Sequence, residues 1–334
     1  MGFGHALPVL SPPRTEVVAG TAFELLVALA GASAAARDTL DPEFREALAA
    51  IGDTAGETWL NLLGIPLDFG PPYDAARLGD AVEQMDPVDI RRHLLGGYAW
   101  SWCTLAGADT IDAAAAGDRA AGRKLLAHER YYAGRARDSL SVLLPLDPAE
   151  TRDRLAHALE IGRLRVETAA DGLQAAAAEA MTTLASAPLE EAIELVTGGY
   201  RYAPEIEAEQ VLLIPHLQPA PWLVLAQHRR SRLIVYRERA DGDVTERVAS
   251  LGRALADPKR VEILRLLAHG VDRASRLVAE TGLTRSTVHH HLSQLREARL
   301  VDLEGNARAY RYLLREDALP EISGLLSELL EERQ

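Results

Sequence analysis

From Thr21 to about Ala203, apolar residues recur at spacings of three and four, the period of helices with one buried face. The pattern predicts helices over residues 23–36, 42–51, 57–63, 74–84, 87–106, 119–133, 135–143, 148–157, 161–185 and 189–196. Three of these open on Asp-Pro, at Asp41-Pro42, Asp86-Pro87 and Asp147-Pro148. There the carboxylate can accept from free amides of the first turn, and proline has no amide to leave unpaired. A short strand is expected near residues 16–18. Past residue 208 the period changes: residues 210–214, 222–226 and 232–237 are short runs of Val, Leu and Ile, read as three strands of an antiparallel meander at about 208–238. Residues 240–243, Ala-Asp-Gly-Asp, read as a linker.

From residue 257 the pattern is denser. DPKRVEILRLLAHG opens on a fourth Asp-Pro, and Val261, Leu264, Leu267 and Ala268 form its expected inner stripe, closed by Gly270. VDRASRLVAETGLTRSTVHHHLSQLREARLV supplies two more helices. Asp272 is placed to cap the first, whose core is Leu277 and Val278. Gly282 stands where a tight inter-helix turn needs a positive φ, and Thr284 caps the second. DLEGNARAYRYLL reads as two strands around Glu304-Gly305-Asn306, with Tyr310 and Tyr312 on the face opposite Arg311. Three short helices and a hairpin in this order predict a winged helix-turn-helix, a device that reads DNA.

Helical geometry sorts the third of these helices. Val288, Leu292 and Leu295 fall in one narrow arc and must face the core, with His291 at its edge. Ser286, His289, His290, Ser293 and Gln294 fall outside that arc. Thr284, Arg285 and Thr287 stand at the N-terminal end, which points at base edges when such a helix docks. Arg285 is the leading base contact, because its fork matches guanine O6 and N7. Arg308 and Arg311 on the hairpin can reach phosphates or a minor groove.

Charge sharpens this division. The chain carries −13 overall. From residue 241 onward there are 14 basic and 16 acidic residues, net −2, against 22 and 33, net −11, in the first 240. Acidity therefore belongs to the N-terminal part, and DNA binding needs only a local basic face. No run of about 18 apolar residues occurs, so no membrane span is expected. Cys103 is the only cysteine, which excludes an internal disulfide and a cysteine-cluster metal site. With no basic-then-apolar start of a secretion signal, a cytoplasmic location is expected.

ALADPKRVEILRLL, LTRSTVHHHLSQLREARLV and the closing AYRYLL resemble the arsenic-repressor (ArsR) family of bacterial transcription regulators, over about residues 246–332. The resemblance implies a dimeric winged helix joined through its first and last helices. The matching positions are Val248, Leu251 and Leu255 in the first, and Ile322, Leu325, Leu326 and Leu329 in the last. Packing within the domain is the alternative for the last helix. Many members sense metals through cysteines before the turn or through Asp and His in the last helix. This chain has Arg273, Ala274 and Ser275 in the former region and no His after His291, so that role is not carried over. The family is also usually one small domain, which leaves about 240 residues for another task, sensing being the natural one.

Other constellations are weaker. His289-His290-His291 cannot converge on one ion, since consecutive helical residues point about 100° apart. His216 and His228 flank strands without a clear third ligand. No phosphate loop, nucleophile elbow or acid–base pair stands out. Gly96-Gly97-Tyr98 and Gly198-Gly199-Tyr200 echo each other, with coincidence the favoured explanation. Tyr98, Trp100, Trp102, Tyr200, Tyr202 and Trp222 are two aromatic-rich spots that suit either core packing or an effector pocket.

The expectation is a mainly α chain with a small antiparallel β part, α+β in class. Residues 1–240 form a helical sensing or dimerising domain, and 246–334 the winged helix. The function expected is a sequence-specific transcriptional regulator, a repressor by resemblance, without cofactor or metal. It binds double-stranded DNA as a homodimer and answers a small-molecule effector. A protein-interaction module, or an enzyme fused to a DNA-binding domain, are the rival readings.

Overall fold

The computed structural model describes residues 13–34, 40–51, 56–128, 131, 140–219, 222–238, 244–306, 310–315 and 318–331. Its contacts divide the chain into two compact units, residues 1–177 with 204–235, and residues 178–203 with 236–334. Helices predominate, with two mixed sheets.

The first unit is built around α1 (Thr21–Ala34), in which Phe23, Leu25, Leu26, Val27 and Leu29 are all fully buried. A helix apolar on every side belongs at a centre rather than a surface. Its one buried acid, Glu24, accepts from the Leu217 amide at 2.9 Å and from Gln218 at 2.6 Å, and burial pushes its carboxyl up. In the core that contains α1 lie residues of α2 (Pro42–Ala49), α3 (Gly56–Leu60), α4 (Ile65–Phe69), α5 (Ala75–Gln84), α6 (Pro87–Leu94) and α10 (Pro148–Arg163), while α7 (Trp100–Ala106), α8 (Ala108–Ala115) and α9 (Arg119–Ala127) pack on a second cluster that includes Leu95, Ile111 and Leu125. The Asp-Pro starts behave as expected. Asp41, Asp86 and Asp147 each accept from an amide of the first turn, of Phe44, Val88 and Ala149, at 2.8 Å.

One expected helix is interrupted, and one expected break is displaced. The helix expected over 87–106 stops at Leu94, where Gly96 takes φ 69°, and resumes only at Trp100. The break expected near residue 160 lies at 164–169 instead, between α10 and α11 (Ala170–Ser186). The helix expected over 135–143 falls largely outside the described residues.

The first unit's sheet has the order β1-β3-β5-β4, from β1 (Arg14–Val17), β3 (Gln210–His216), β4 (Leu223–His228) and β5 (Ser231–Arg237). The expected strands are present, but β5 rather than β4 lies beside β3, so the order is not that of a meander. β1 runs parallel to β3, Thr15 facing Val211 and Val17 facing Leu213. Burial explains the arrangement: β3 and β5 are buried along almost their whole length, as inner strands must be.

The second unit begins with the end of α11, then α12 (Leu189–Thr197) and β2 (Tyr200–Tyr202). After residue 236 it continues with α13 (Val244–Leu255), α14 (Pro258–Ala268), α15 (Ala274–Thr281), α16 (Arg285–Glu297), β6 (Val301–Gly305), β7 (Tyr310–Leu314) and α17 (Ala318–Glu331). This is the predicted winged helix-turn-helix with an addition. The wing sheet has three strands in the order β2-β6-β7, and β2 runs parallel to β6 with Tyr200 facing Leu303. The Leu303 amide donates to the Gly199 carbonyl and the Ala203 amide to the Gly305 carbonyl, both at 3.0 Å. The Tyr200 hydroxyl donates to Gly305 O at 2.8 Å, and Arg201 ties Glu194 to Asp302.

Candidate nucleic-acid interface

The helix-turn-helix is set by local chemistry. Asp257 accepts from the Lys259 amide at 2.7 Å and starts α14. The inner face of α14 is Ile263 and Leu267, with Leu264 half-buried, while Val261 is 46% exposed and Ala268 is also exposed. The buried stripe thus sits off the expected one, centred on residues 260, 263, 264 and 267, because Arg260 folds inward and donates to Ala254 O at 2.7 Å. Asp272 does not cap α15: that position falls to Arg273, without a side-chain bond. The Asp272 carbonyl instead accepts from the Tyr312 amide at 2.7 Å, joining the start of α15 to the wing. Gly282 takes the left-handed φ of 67° at the turn. Thr284 then caps α16, its hydroxyl accepting from the Thr287 amide at 3.2 Å.

On α16, Val288, Leu292 and Leu295 are buried, and His291 is buried beside them with Nδ1 3.7 Å from Asp257. Thr284, Arg285, His290 and Ser293 are exposed, and Thr287, His289 and Gln294 are half-buried. The helix therefore presents Arg285 to solvent in its first turn, at the N-terminal end. The side chain of Ser286 lies outside the described residues. His289 Nδ1 lies 3.5 Å from the Tyr312 hydroxyl, and burial, helped by the Arg285 charge, pushes its imidazole down. Inside the unit, burial lowers the Arg296 guanidinium to about 10, against the pull of Tyr312, Tyr310, Asp302 and Tyr200.

In the wing, β6 and β7 pair antiparallel with Leu303 facing Tyr312. Tyr312 is buried, Tyr310 packs edge-on to it, and Arg311 points the other way, exposed and paired with Glu304 at 3.0 Å. Arg308 lies outside the described residues. Of the residues expected at a dimer contact, Leu251 is buried, Val248 and Ile322 are half-buried, and Leu255 is 40% exposed. The helices that carry them, α13 and α17, pack on each other within the unit. The side chains of Leu325, Leu326 and Leu329 lie outside the described residues.

The six aromatic residues have several different surroundings. Tyr200 and Tyr202 are buried in the wing sheet, with ring centroids 6.4 Å apart. Trp100 lies under the Arg232 guanidinium at 5.1 Å, Trp102 meets Tyr131 edge-on at 5.5 Å, and Trp222 is buried beside β4. Tyr98 leads to a group that local sequence did not suggest. Its ring packs on His93 at 4.3 Å and on His228 at 5.4 Å.

Those two histidines converge on Asp68. His228 Nε2 stands 2.9 Å from Asp68 Oδ1, and His93 Nε2 stands 3.5 Å from Oδ2. Each comes from a fixed element. His93 is on α6, which Arg91 anchors through the carbonyls of Leu146, Ala114 and Leu144 at 2.9–3.2 Å. His228 ends β4, whose next residue, Arg229, donates its amide to Tyr98 O at 2.8 Å. The His228 ring lies so close to Gly64 that a Cβ there would come within 2.1 Å of Nδ1. Arg229 also reaches Asp68 Oδ1 at 3.0 Å. Burial would raise the Asp68 carboxyl, but hydrogen bonds from His228 and Arg229, with the His93 imidazole close by, hold it well below the usual carboxylate range. Burial lowers His93 despite the nearby Asp68. His228 was paired in sequence with His216, which lies buried at the end of β3; the partners it meets are Asp68 and His93.

Comparison with known proteins places the second unit. Residues 257–302 match the family described as bacterial regulatory protein, arsR family. The HTH-type transcriptional regulator CmtR of Mycobacterium bovis is 45% identical over 83 residues, 25% of this chain and 70% of that protein. CmtR of Mycobacterium tuberculosis matches to the same extent. No solved structure matches the chain. A winged helix with its arginine-tipped third helix, matched in sequence over most of such a regulator, places this chain in the arsR family of bacterial regulatory proteins.

Proposed function

We propose that this DNA-binding transcriptional regulator is a homodimeric repressor that reads an inverted repeat, with half-sites about one helical turn (roughly 10 bp) apart. Arg285 contacts a base, Thr284, Ser286, Thr287, His289, His290, Ser293 and Gln294 contact bases or phosphates, and Arg308 and Arg311 contact the backbone. The observation that carries this reading is the exposed Arg285 in the Thr284-capped first turn of α16, a helix held to the core by buried Val288, Leu292 and Leu295. Dimerisation runs through Val248, Leu251 and Leu255 of α13 and Ile322, Leu325, Leu326 and Leu329 of α17. The first unit takes up an effector that binds one dimer geometry better than the other, since only differential affinity can shift such an equilibrium. Among the described residues no helix is long and apolar enough to cross a membrane, which accords with a regulator working in the cytoplasm.

The test is selection of fragments from randomised DNA by the purified full-length protein at about 0.15 M salt. A palindromic consensus is expected. Salt-sensitive binding without any consensus refutes sequence-specific readout, and no binding by a folded protein refutes DNA recognition.

A further inference from the structure

Asp68, His93 and His228 bring one carboxylate and two imidazoles together from α4, α6 and the end of β4. Their ligand atoms all lie within 4.8 Å of one another. Both histidines aim Nε2 at the carboxylate, one at each oxygen, with rings 5.5 Å apart and 11° from parallel. The 3.5 Å from His93 Nε2 to Asp68 Oδ2 exceeds the about 2.7–3.2 Å of an N–H···O bond. It matches the about 3.4 Å that separates two ligands of a tetrahedral ion with bonds of about 2.0–2.2 Å. The rings are fixed from behind, His228 by Gly64 and both by Tyr98, so their nitrogens are held in place without an ion. From Asp68 and His228 a cleft of about 230 Å³ opens, lined also by Glu16, Tyr73, Gln210 and Arg229.

We propose that the first unit binds one divalent transition-metal ion of the zinc class at Asp68, His93 and His228, with a further coordination position facing this cleft. Two imidazoles and one carboxylate suit Zn²⁺, Co²⁺ or Ni²⁺ better than Mg²⁺ or Ca²⁺, which prefer oxygen throughout. Three protein ligands leave the fourth position for water or an oxygen of a small ligand. Arg229 competes with the ion for Oδ1, but its side chain is 61% exposed and leaves Oδ2 to the ion. The site lies outside residues 257–302 and does not depend on DNA reading.

The experiment is a titration of chelator-stripped full-length protein with Co²⁺, followed by its visible absorption, and with Zn²⁺ by calorimetry. One ion per chain is expected, with the visible bands of a four- or five-coordinate Co²⁺ site. Asp68→Asn and His93→Gln should each weaken binding at least about tenfold. Arg229→Ala should tighten it, a readout that survives if the ligand variants fold poorly. His289→Ala/His290→Ala should leave it unchanged. No stoichiometric binding by the folded protein, or full affinity in both Asp68→Asn and His93→Gln, overturns the proposal.

Discussion

Removing the Tyr200 side chain tests whether β2 is an integral part of the winged unit. Tyr200 is fully buried, faces Leu303 across the parallel ladder, and donates its hydroxyl to Gly305 O at 2.8 Å. Tyr200→Phe removes that hydrogen bond while keeping the ring, and should cost about 0.5–1.5 kcal/mol. Tyr200→Ala also empties an aromatic volume, which costs about 3–5 kcal/mol where the surroundings relax only in part. A folded domain holds about 5–15 kcal/mol in all, so the larger change uses a substantial share of it. The two units need not unfold together, which makes a single melting curve a poor reporter. Hydrogen exchange of the Leu303 amide, bonded to Gly199 O at 3.0 Å, reports on the β2–β6 ladder itself. At about 1.4 kcal/mol per tenfold, Tyr200→Ala should speed that exchange about 150- to 5000-fold, and Tyr200→Phe by about 2- to 12-fold. Unchanged Leu303 exchange in folded Tyr200→Ala would refute the view that β2 completes the wing sheet.

Arg285→Ala should cost about 1–3 kcal/mol at one base pair and relax selection there; equal weakening on all sequences, measured by competition binding, would remove Arg285 from base reading. Arg311→Ala should lower affinity across sequences and flatten the salt slope by about one unit, since its exposed pair with Glu304 offers little resistance to re-pairing with phosphate. An unchanged slope would take the wing arginine off the backbone. His289, near Arg285 and Tyr312, is pushed below its ordinary value of 6.5. An imidazole harder to protonate when folded supports stability fully above about 6.5 and loses it as pH falls from there toward the folded value. His289→Gln should therefore flatten that acid-side loss in the second unit, read by hydrogen exchange across pH; an identical pH profile would sink the assignment.

What was legible in the sequence was local. The four Asp-Pro caps, the Gly282 turn, the Thr284 cap and the buried arc of α16 each depend on residues within about two helical turns of one another. The interruption at Gly96 was harder to see, because the apolar spacing continues through it and only the backbone angle breaks the helix. Gly96 and Gly198, the echo noticed in sequence, both close helices with positive φ, 69° and 65°. The neighbours β3 and β5 were hidden because all three candidate strands are similarly apolar, and adjacency is decided by burial along each strand. His228 stood out in the sequence only beside His216, and nothing there linked it to Asp68 or His93, since Asp68 and His228 lie 160 positions apart. His93, between Ile90 and Leu94 on the apolar side of α6, was a further trace.

The strand β2 also imposes an order of events on synthesis. Tyr200 pairs with Leu303, about a hundred residues further along the chain. At about 5–20 residues per second on the ribosome, the partner follows about 5–20 seconds behind. In that interval β3, β4 and the start of β5 emerge, so the first unit has its full complement of strands once residue 235 is made. The winged unit, by contrast, must wait for its C-terminal strands while two large aromatic rings of β2 remain without their sheet. Closing a loop of that length is slow and is settled only by the last contacts made. Nascent chains arrested before residue 300 should therefore carry a finished first unit and an unfinished reader of DNA.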